Sequence, residues 1–190
     1  MCLGLGIGIM SGMGNQRVDF FIMRMVDMLL SFPSLVLTLG IIGALGPSLF
    51  SAAVGICMGW WPVYARLVRG MVLSAREKEF VTAARLTGTS GIRMTTRHIL
   101  PQVLPPVLVL ASLETGTMIL VFSGLGFLGL GVQPPQPEWG AMLNEARTYI
   151  FTAPYLLIAP GAAIFTAVLG FSLLGEGLRQ AMQVRAVNPW

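Results

Sequence analysis

Arg66-Leu-Val-Arg-Gly-Met-Val-Leu-Ser-Ala-Arg-Glu-Lys-Glu-Phe-Val-Thr-Ala-Ala-Arg-Leu-Thr-Gly-Thr-Ser-Gly-Ile-Arg-Met-Thr-Thr-Arg-His-Ile-Leu-Pro101 is a polar stretch set between two strongly apolar regions of a 190-residue chain. The chain has 12 Lys and Arg and 8 Asp and Glu, and nine of these charged residues lie inside the stretch. Hydrophobic residues make up 55% of the chain and charged ones 11%, against about 25% charged in an ordinary soluble domain. The solvent for most of the chain is therefore lipid, and an all-α integral membrane protein is expected. Its length leaves room for four or five spans of ~20 residues with short connections.

Residues 3–14 are apolar but too short to cross a bilayer core of about 30 Å. Their glycines make a poor isolated helix yet permit close helix packing in membranes. Residues 15–27 interleave Asp19, Arg24 and Asp27 with apolar residues at near-helical spacing, which suits a helix at the membrane surface or against another helix, with Pro33 marking a bend. Full spans are expected at 29–45, 49–65, 103–132 and 149–174. Trp60, Trp61 and Tyr64 close the second of these, where amphipathic rings favour the water interface. Between the last two, residues 133–147 read as a proline-rich loop followed by a short helix from about Trp139. Cys2 and Cys57 lie in apolar sequence with no partner at metal-ligand spacing and read as small buried hydrophobes.

Positive charge fixes the orientation. If 66–101 is cytoplasmic, alternation puts 15–27 and the C-terminus on the same side, and of the 12 Lys and Arg only Arg147 falls outside. So large an asymmetry selects this topology over its inverse. The net charge of +4 then has a topological origin and carries no nucleic-acid signal.

Within the polar stretch, 74–86 is rich in helix formers, and Gly88 is placed to end that helix through a left-handed cap. A second short helix is expected from about Ser90 to Ile99, before Pro101 opens the next span. Two short helices joined at a glycine form a compact knob. Ala83 and Ala84 keep its surface low, so a partner's groove can close over the backbone, with Arg76, Lys78, Arg85, Arg93 and Arg97 around it for charge pairing. Physics alone leaves an ordinary solvated loop equally open.

Thr82-Ala-Ala-Arg-Leu-Thr-Gly88, nine further residues and His98-Ile-Leu-Pro101 resemble the EAA loop of ABC importer permeases. That pattern is Glu-Ala-Ala, three residues, Gly, nine residues, then Ile-x-Leu-Pro; Thr82 stands in place of Glu and His98 in place of Ile. Other stretches resemble the dipeptide, oligopeptide and nickel branch of that family: Met23-Arg-Met-Val-Asp-Met-Leu-Leu-Ser-Phe-Pro33, Tyr64-Ala-Arg-Leu-Val-Arg-Gly70, Phe127-Leu-Gly-Leu-Gly-Val-Gln-Pro-Pro135, Glu138-Trp-Gly-Ala-Met-Leu143 and Leu174-Gly-Glu-Gly-Leu-Arg179.

The resemblance implies a type I ABC importer transmembrane domain over 15–190 in a bacterial inner membrane. Its coupling loop would be about 66–101, and Glu79, Thr82, Ala83, Ala84, Gly88, His98 and Pro101 would be the residues engaging the ATPase. Glu79, one helical turn before Thr82, is the nearest carboxylate to stand in for the missing Glu. Implied partners are ATP-binding cassette subunits, a second homologous permease and an external solute-binding protein, besides membrane lipid. No cofactor is expected on this chain itself, since ATP belongs to the partners and no glycine-rich phosphate loop followed by Lys occurs. Permeases of this branch carry further helices ahead of the point where this chain begins. Residues 1–14 are therefore expected to be the remnant of one, in an N-terminally truncated chain with about four full spans. A non-transporting remnant is the alternative reading.

Glu114 is the one carboxylate well inside an expected span. A charge there costs at least ~2.5 kcal/mol, so it is expected to face the bundle interior and is the candidate for the translocation path, where it would favour a cationic substrate. An intramembrane enzyme using Glu114 and His98 is disfavoured, because the two lie roughly 20 Å apart at 1.5 Å per residue. No catalytic or metal-ligating constellation is read. The twelve methionines are spread over several helices without a repeated close pair, as flexible packing requires.

Overall fold

The computed structural model describes the backbone of residues 1–187 and the side chains of residues 1–182. The expected cytoplasmic C-terminus and Arg185 therefore lie outside the residues whose side chains are described. Among the described residues all regular structure is helical: α1 (Cys2–Met13), α2 (Gln16–Leu30), α3 (Ser34–Leu45), α4 (Leu49–Arg76), α5 (Glu79–Leu86), α6 (Gly91–Met94), a π-helical turn (Thr95–Ile99), α7 (Leu100–Phe127), α8 (Trp139–Ala146) and α9 (Tyr155–Val187).

Two helices are long and apolar enough to cross a membrane, Gly91–Phe127 and Tyr155–Met182. A third span arises if α2 and α3, bent by 81° at their junction, are taken together. The four full spans expected from sequence are thus approximate, and the differences have identifiable causes. The first expected span is broken at Pro33, whose ring supplies no N–H and disfavours helix in the residue before it. What remains, α3, has 12 residues, or about 18 Å at 1.5 Å per residue. In the second, α4 continues beyond its apolar part through Arg66, Arg69 and Arg76. The third begins earlier and ends sooner than 103–132. It runs without a break from Gly91 through the π-turn and stops at Phe127, where Gly129 adopts φ +77. There the Leu130 amide donates to the Leu125 carbonyl at 2.8 Å and the Gly129 amide to Gly126 at 2.9 Å, the two bonds of a Schellman cap.

The chain forms two compact units. The first comprises Met1–Ser34 and Gly59–Leu108. Here α1 lies against α4 along Gly4, Gly8 and Gly12. A Cβ added at Gly8 would sit 2.7 Å from both the Ala65 carbonyl and the Val68 Cβ, and one at Gly12 would sit 2.6 Å from Val72 Cγ1. Glycine is what lets the backbones approach this closely, as small residues every fourth position do between membrane helices. Ala65, Val68 and Val72 are fully buried by the contact. Tyr64 is buried as well, packed against Gly4, so it serves this interface and not the water boundary. Charge completes the unit. Arg69 donates both Nε and an NH2 group to the Asp19 carboxylate, which also accepts from Ser11 Oγ. Arg76 donates to the Gly12 carbonyl at the end of α1, and Arg66 pairs with Asp27.

The second unit comprises Leu35–Met58 and the chain from Val109 onward. Ile42, Ala52 and Leu125 form its buried centre, with Ile56, Val121, Phe122 and Leu130 packed around them. The lower part of α7 meets α9 closely: a Cβ on Gly175 would lie 2.7 Å from Leu113 Cγ. Glu138 caps α8, accepting from the amides of Gly140 at 2.9 Å and Ala141 at 2.8 Å. Its carboxylate is thereby turned onto its own helix as an N-cap. Large apolar side chains such as Phe165, Leu173 and Phe171 stay exposed on α9, the inverse of a water-soluble surface and the arrangement lipid requires. Cys2 and Cys57 are exposed too; an apolar exterior gives a small hydrophobe no reason to be buried, which overturns their expected placement.

Candidate functional site

The knob differs from its sequence reading at its start. The helix expected over 74–86 is interrupted after Arg76, where Lys78 takes an extended conformation (φ −71, ψ 144) and α5 restarts at Glu79. Propensity favours continuing the helix, but restarting it buries Val81 completely, and packing of an apolar face outweighs propensity in short helices. Lys78 Nζ then donates to Gln102 Oε1 at 3.2 Å.

At its tip the knob follows the expectation. Gly88 has φ +80, the Thr89 amide donates to the Ala84 carbonyl at 3.1 Å and the Gly88 amide to Arg85 at 3.0 Å. This is again a Schellman cap with glycine in the left-handed position. Thr87 Oγ1 donates back to Ala84 at 2.9 Å. The turn holds Leu86 and Ile92 on either side of Gly88, 86% and 83% exposed, while Val81, Met94 and Ile99 are buried beneath. Three buried apolar anchors and two exposed aliphatic tips make a supported protrusion.

The second half departs again. The short helix expected to stop before Pro101 instead passes into α7. The Leu100 amide reaches the Thr95 carbonyl, a five-residue step that widens one turn just before Pro101. That proline cannot donate to the carbonyl of Arg97, and a π-turn is one way to absorb such a residue in a helix.

Ala83, Ala84 and His98 come together around a concavity of about 420 Å³, joined there by Thr87, Thr89, Arg93 and Arg97. Glu79, Thr82 and Gly88 are exposed on α5 and its cap, and Pro101 is exposed at the start of α7, all outside that lining. Thr87 and Thr89 carried no sequence signal of their own. Leu86 and Ile92 were overlooked because an isolated apolar residue in a polar loop reads as core.

Glu114 lies in α7, partly buried, with its Oε2 buried and lacking a hydrogen-bond partner among the described residues. Its neighbours Leu113 and Gly116 pack against α9. A separate apolar cleft of about 590 Å³ in the same unit is lined by Ile56, Thr115, Met118, Phe122, Trp139, Met142 and others. Glu114 is not part of that lining, although Thr115 is.

An all-helical chain with a lipid-compatible exterior and one supported polar protrusion defines a membrane protein that offers a folded loop to water. The chain belongs to the family of binding-protein-dependent transport system inner membrane components, which it matches over residues 4–186. It is 43% identical over 182 residues to the dipeptide transport system permease protein DppC of Alkalihalophilus pseudofirmus, covering 96% of this chain and 60% of that protein. It is 42% identical over 188 residues to the nickel transport system permease protein NikC of Escherichia coli, covering 99% and 68%. It is 40% identical over 182 residues to the glutathione transport system permease protein GsiD of Pectobacterium atrosepticum, covering 96% and 60%. The chain thus spans between 60% and 68% of the length of these relatives.

Proposed function

We propose that the chain is the permease part of an ATP-driven importer and that it forms, with a second homologous permease, a translocation path for small peptides or for nickel and other metal chelates. The cargo class follows from relatives named for dipeptide, nickel and glutathione transport. In this reading ATP is bound and hydrolysed by two cytoplasmic ATP-binding cassette subunits, cargo is delivered by an external solute-binding protein, and this chain binds no cofactor. The knob faces the cytoplasm.

The observation that carries the reading is the protrusion: Leu86 and Ile92 stand 86% and 83% exposed around the Gly88 cap. Aliphatic side chains so far from cover favour a partner that buries them. Below them, α6 and the π-turn continue into α7, so a displacement of the knob moves the start of a long helix instead of being lost in a flexible hinge. Closure of the ATPase dimer is the source of that displacement.

Co-purification of the ATPase subunits with the detergent-solubilised complex tests the docking. Leu86→Asp with Ile92→Asp is expected to reduce their retention at least about tenfold, the effect of ~1.4 kcal/mol, because two charges would have to enter an apolar groove. Wild-type retention in that double variant would remove the knob from the interface.

Glu114 is proposed to line the path and to favour cationic or amine-bearing cargo. Its buried oxygen has no partner among the described residues, and an uncompensated carboxylate in a membrane helix is costly enough to call for a function. Glu114→Gln, which keeps the shape and removes the charge, is expected to slow uptake by roughly the tenfold that ~1.4 kcal/mol represents in a complex that still assembles. Unchanged uptake would reduce Glu114 to packing.

A further inference from the structure

We infer that the concavity between α5 and the α6–π-turn segment is a seat for a carboxylate side chain of the protein that docks on the knob. The charge that anchors this interface then comes from the partner. The inference rests on the reading of the knob as a docking element and adds the chemistry that the partner must bring.

Four cations of the first unit are engaged within it. Arg66 pairs with Asp27, Arg69 with Asp19, Arg76 donates to the Gly12 carbonyl and Lys78 to Gln102. Each of these is satisfied within the fold. Arg17, Arg24, Arg85, Arg93 and Arg97 make no ion pair among the described residues of this unit, and of these Arg93 and Arg97 line the concavity with His98. They are four positions apart on successive turns, where like charges repel. The Thr87 hydroxyl already donates to the Ala84 carbonyl, but Arg93, Arg97 and His98 around about 420 Å³, with Thr89 in the same lining, make a donor-rich hollow. Ala83 and Ala84 leave space in it for another side chain. A guanidinium pair is the geometry best suited to a carboxylate.

A protein carboxylate fits better than an anionic lipid headgroup. Leu86 and Ile92, almost fully exposed beside the hollow, call for a shaped apolar groove around the same point. Glu77 and Glu79, exposed just before α5 and at its start, would meet a negatively charged bilayer unfavourably, whereas a folded partner can leave them at its rim. Thr82, exposed on α5, carries no charge that could anchor the contact from this side.

The test uses the full complex in nanodiscs, with retention of the ATPase subunits as the readout and thermal unfolding of the membrane part as the control for folding. Arg93→Glu with Arg97→Glu is expected to lower retention at least tenfold with little change in unfolding, and reversal of one acidic residue in the docking groove to Arg is expected to restore it. Arg93→Lys with Arg97→Lys is expected to fall in between, because charge is kept and the bidentate fork is lost. Normal retention in the Glu double variant, while Leu86→Asp with Ile92→Asp abolishes it, would overturn the carboxylate seat and leave the docking reading standing. Normal retention in both would remove both. Loss that no groove reversal repairs, and that replacing anionic by neutral lipid reproduces in the wild type, would overturn the proposal in favour of a headgroup.

Discussion

Gly88→Val is expected to cut substrate imported per ATP hydrolysed about tenfold in proteoliposomes that contain the whole transporter. The space around Gly88 is open, with nothing within 4 Å of an added Cβ, so crowding is not the cause. The cause is backbone: Gly88 sits at φ +80, a region that costs an ordinary residue about 1–2 kcal/mol and a β-branched one more. About 1.4 kcal/mol shifts a two-state population tenfold. Leaving the left-handed region also breaks the bonds from Thr89 to Ala84 and from Gly88 to Arg85, which hold Leu86 and Ile92 apart at the tip. In the proposed mechanism the ATPase would still turn over, but the surface it would push is no longer held in one place. Gly88→Asn is the internal control, because Asn tolerates the left-handed region and is expected to retain most of the coupling. A Val variant coupled like the wild type would return 66–101 to the status of a plain cytoplasmic loop.

The same residue shows what was legible in the sequence. Gly88 as a left-handed cap could be read directly, since local chemistry decides a helix end; the short helix from Trp139 and the bend at Pro33 were legible for the same reason. Membrane character was readable from composition alone. What escaped depended on contacts distant in sequence. That Gly4, Gly8 and Gly12 form one face is visible as a spacing, but that the face meets Ala65, Val68 and Val72 is set by packing. The break at Glu77–Lys78 escaped because every residue around it favours helix, and only the burial of Val81 decides against continuity. Around the knob, Ala83, Ala84 and His98 were picked out, whereas Thr87 and Thr89 were missed because hydroxyl residues near a glycine look like ordinary turn residues. The contacts of Arg76 and Lys78 within the fold escaped for a related reason. Sequence counts charges, and only the fold shows that these two donate to the Gly12 carbonyl and to Gln102.

Asp19→Ala is expected to destabilise the first unit by about 1–3 kcal/mol, the cost of leaving a half-buried charged partner unsatisfied. Asp19 accepts from Arg69 twice and from Ser11 once, so one carboxylate ties together α1, α2 and α4. The Arg69 and Asp19 side chains are 31% and 20% exposed, against 53% for both partners of the Arg66–Asp27 pair. Partial burial reduces solvent screening and leaves Arg69 without a good substitute when Asp19 is removed, whereas ion pairs as open as Arg66–Asp27 contribute at most about 0.2–1 kcal/mol. A double-mutant cycle on thermal unfolding in detergent, using Asp19→Ala, Arg69→Ala and the double variant, is therefore expected to give a coupling of about 1–2 kcal/mol, and the matching cycle on Asp27 and Arg66 less than about 0.5 kcal/mol. Equal couplings would mean that burial does not set the strength of these pairs.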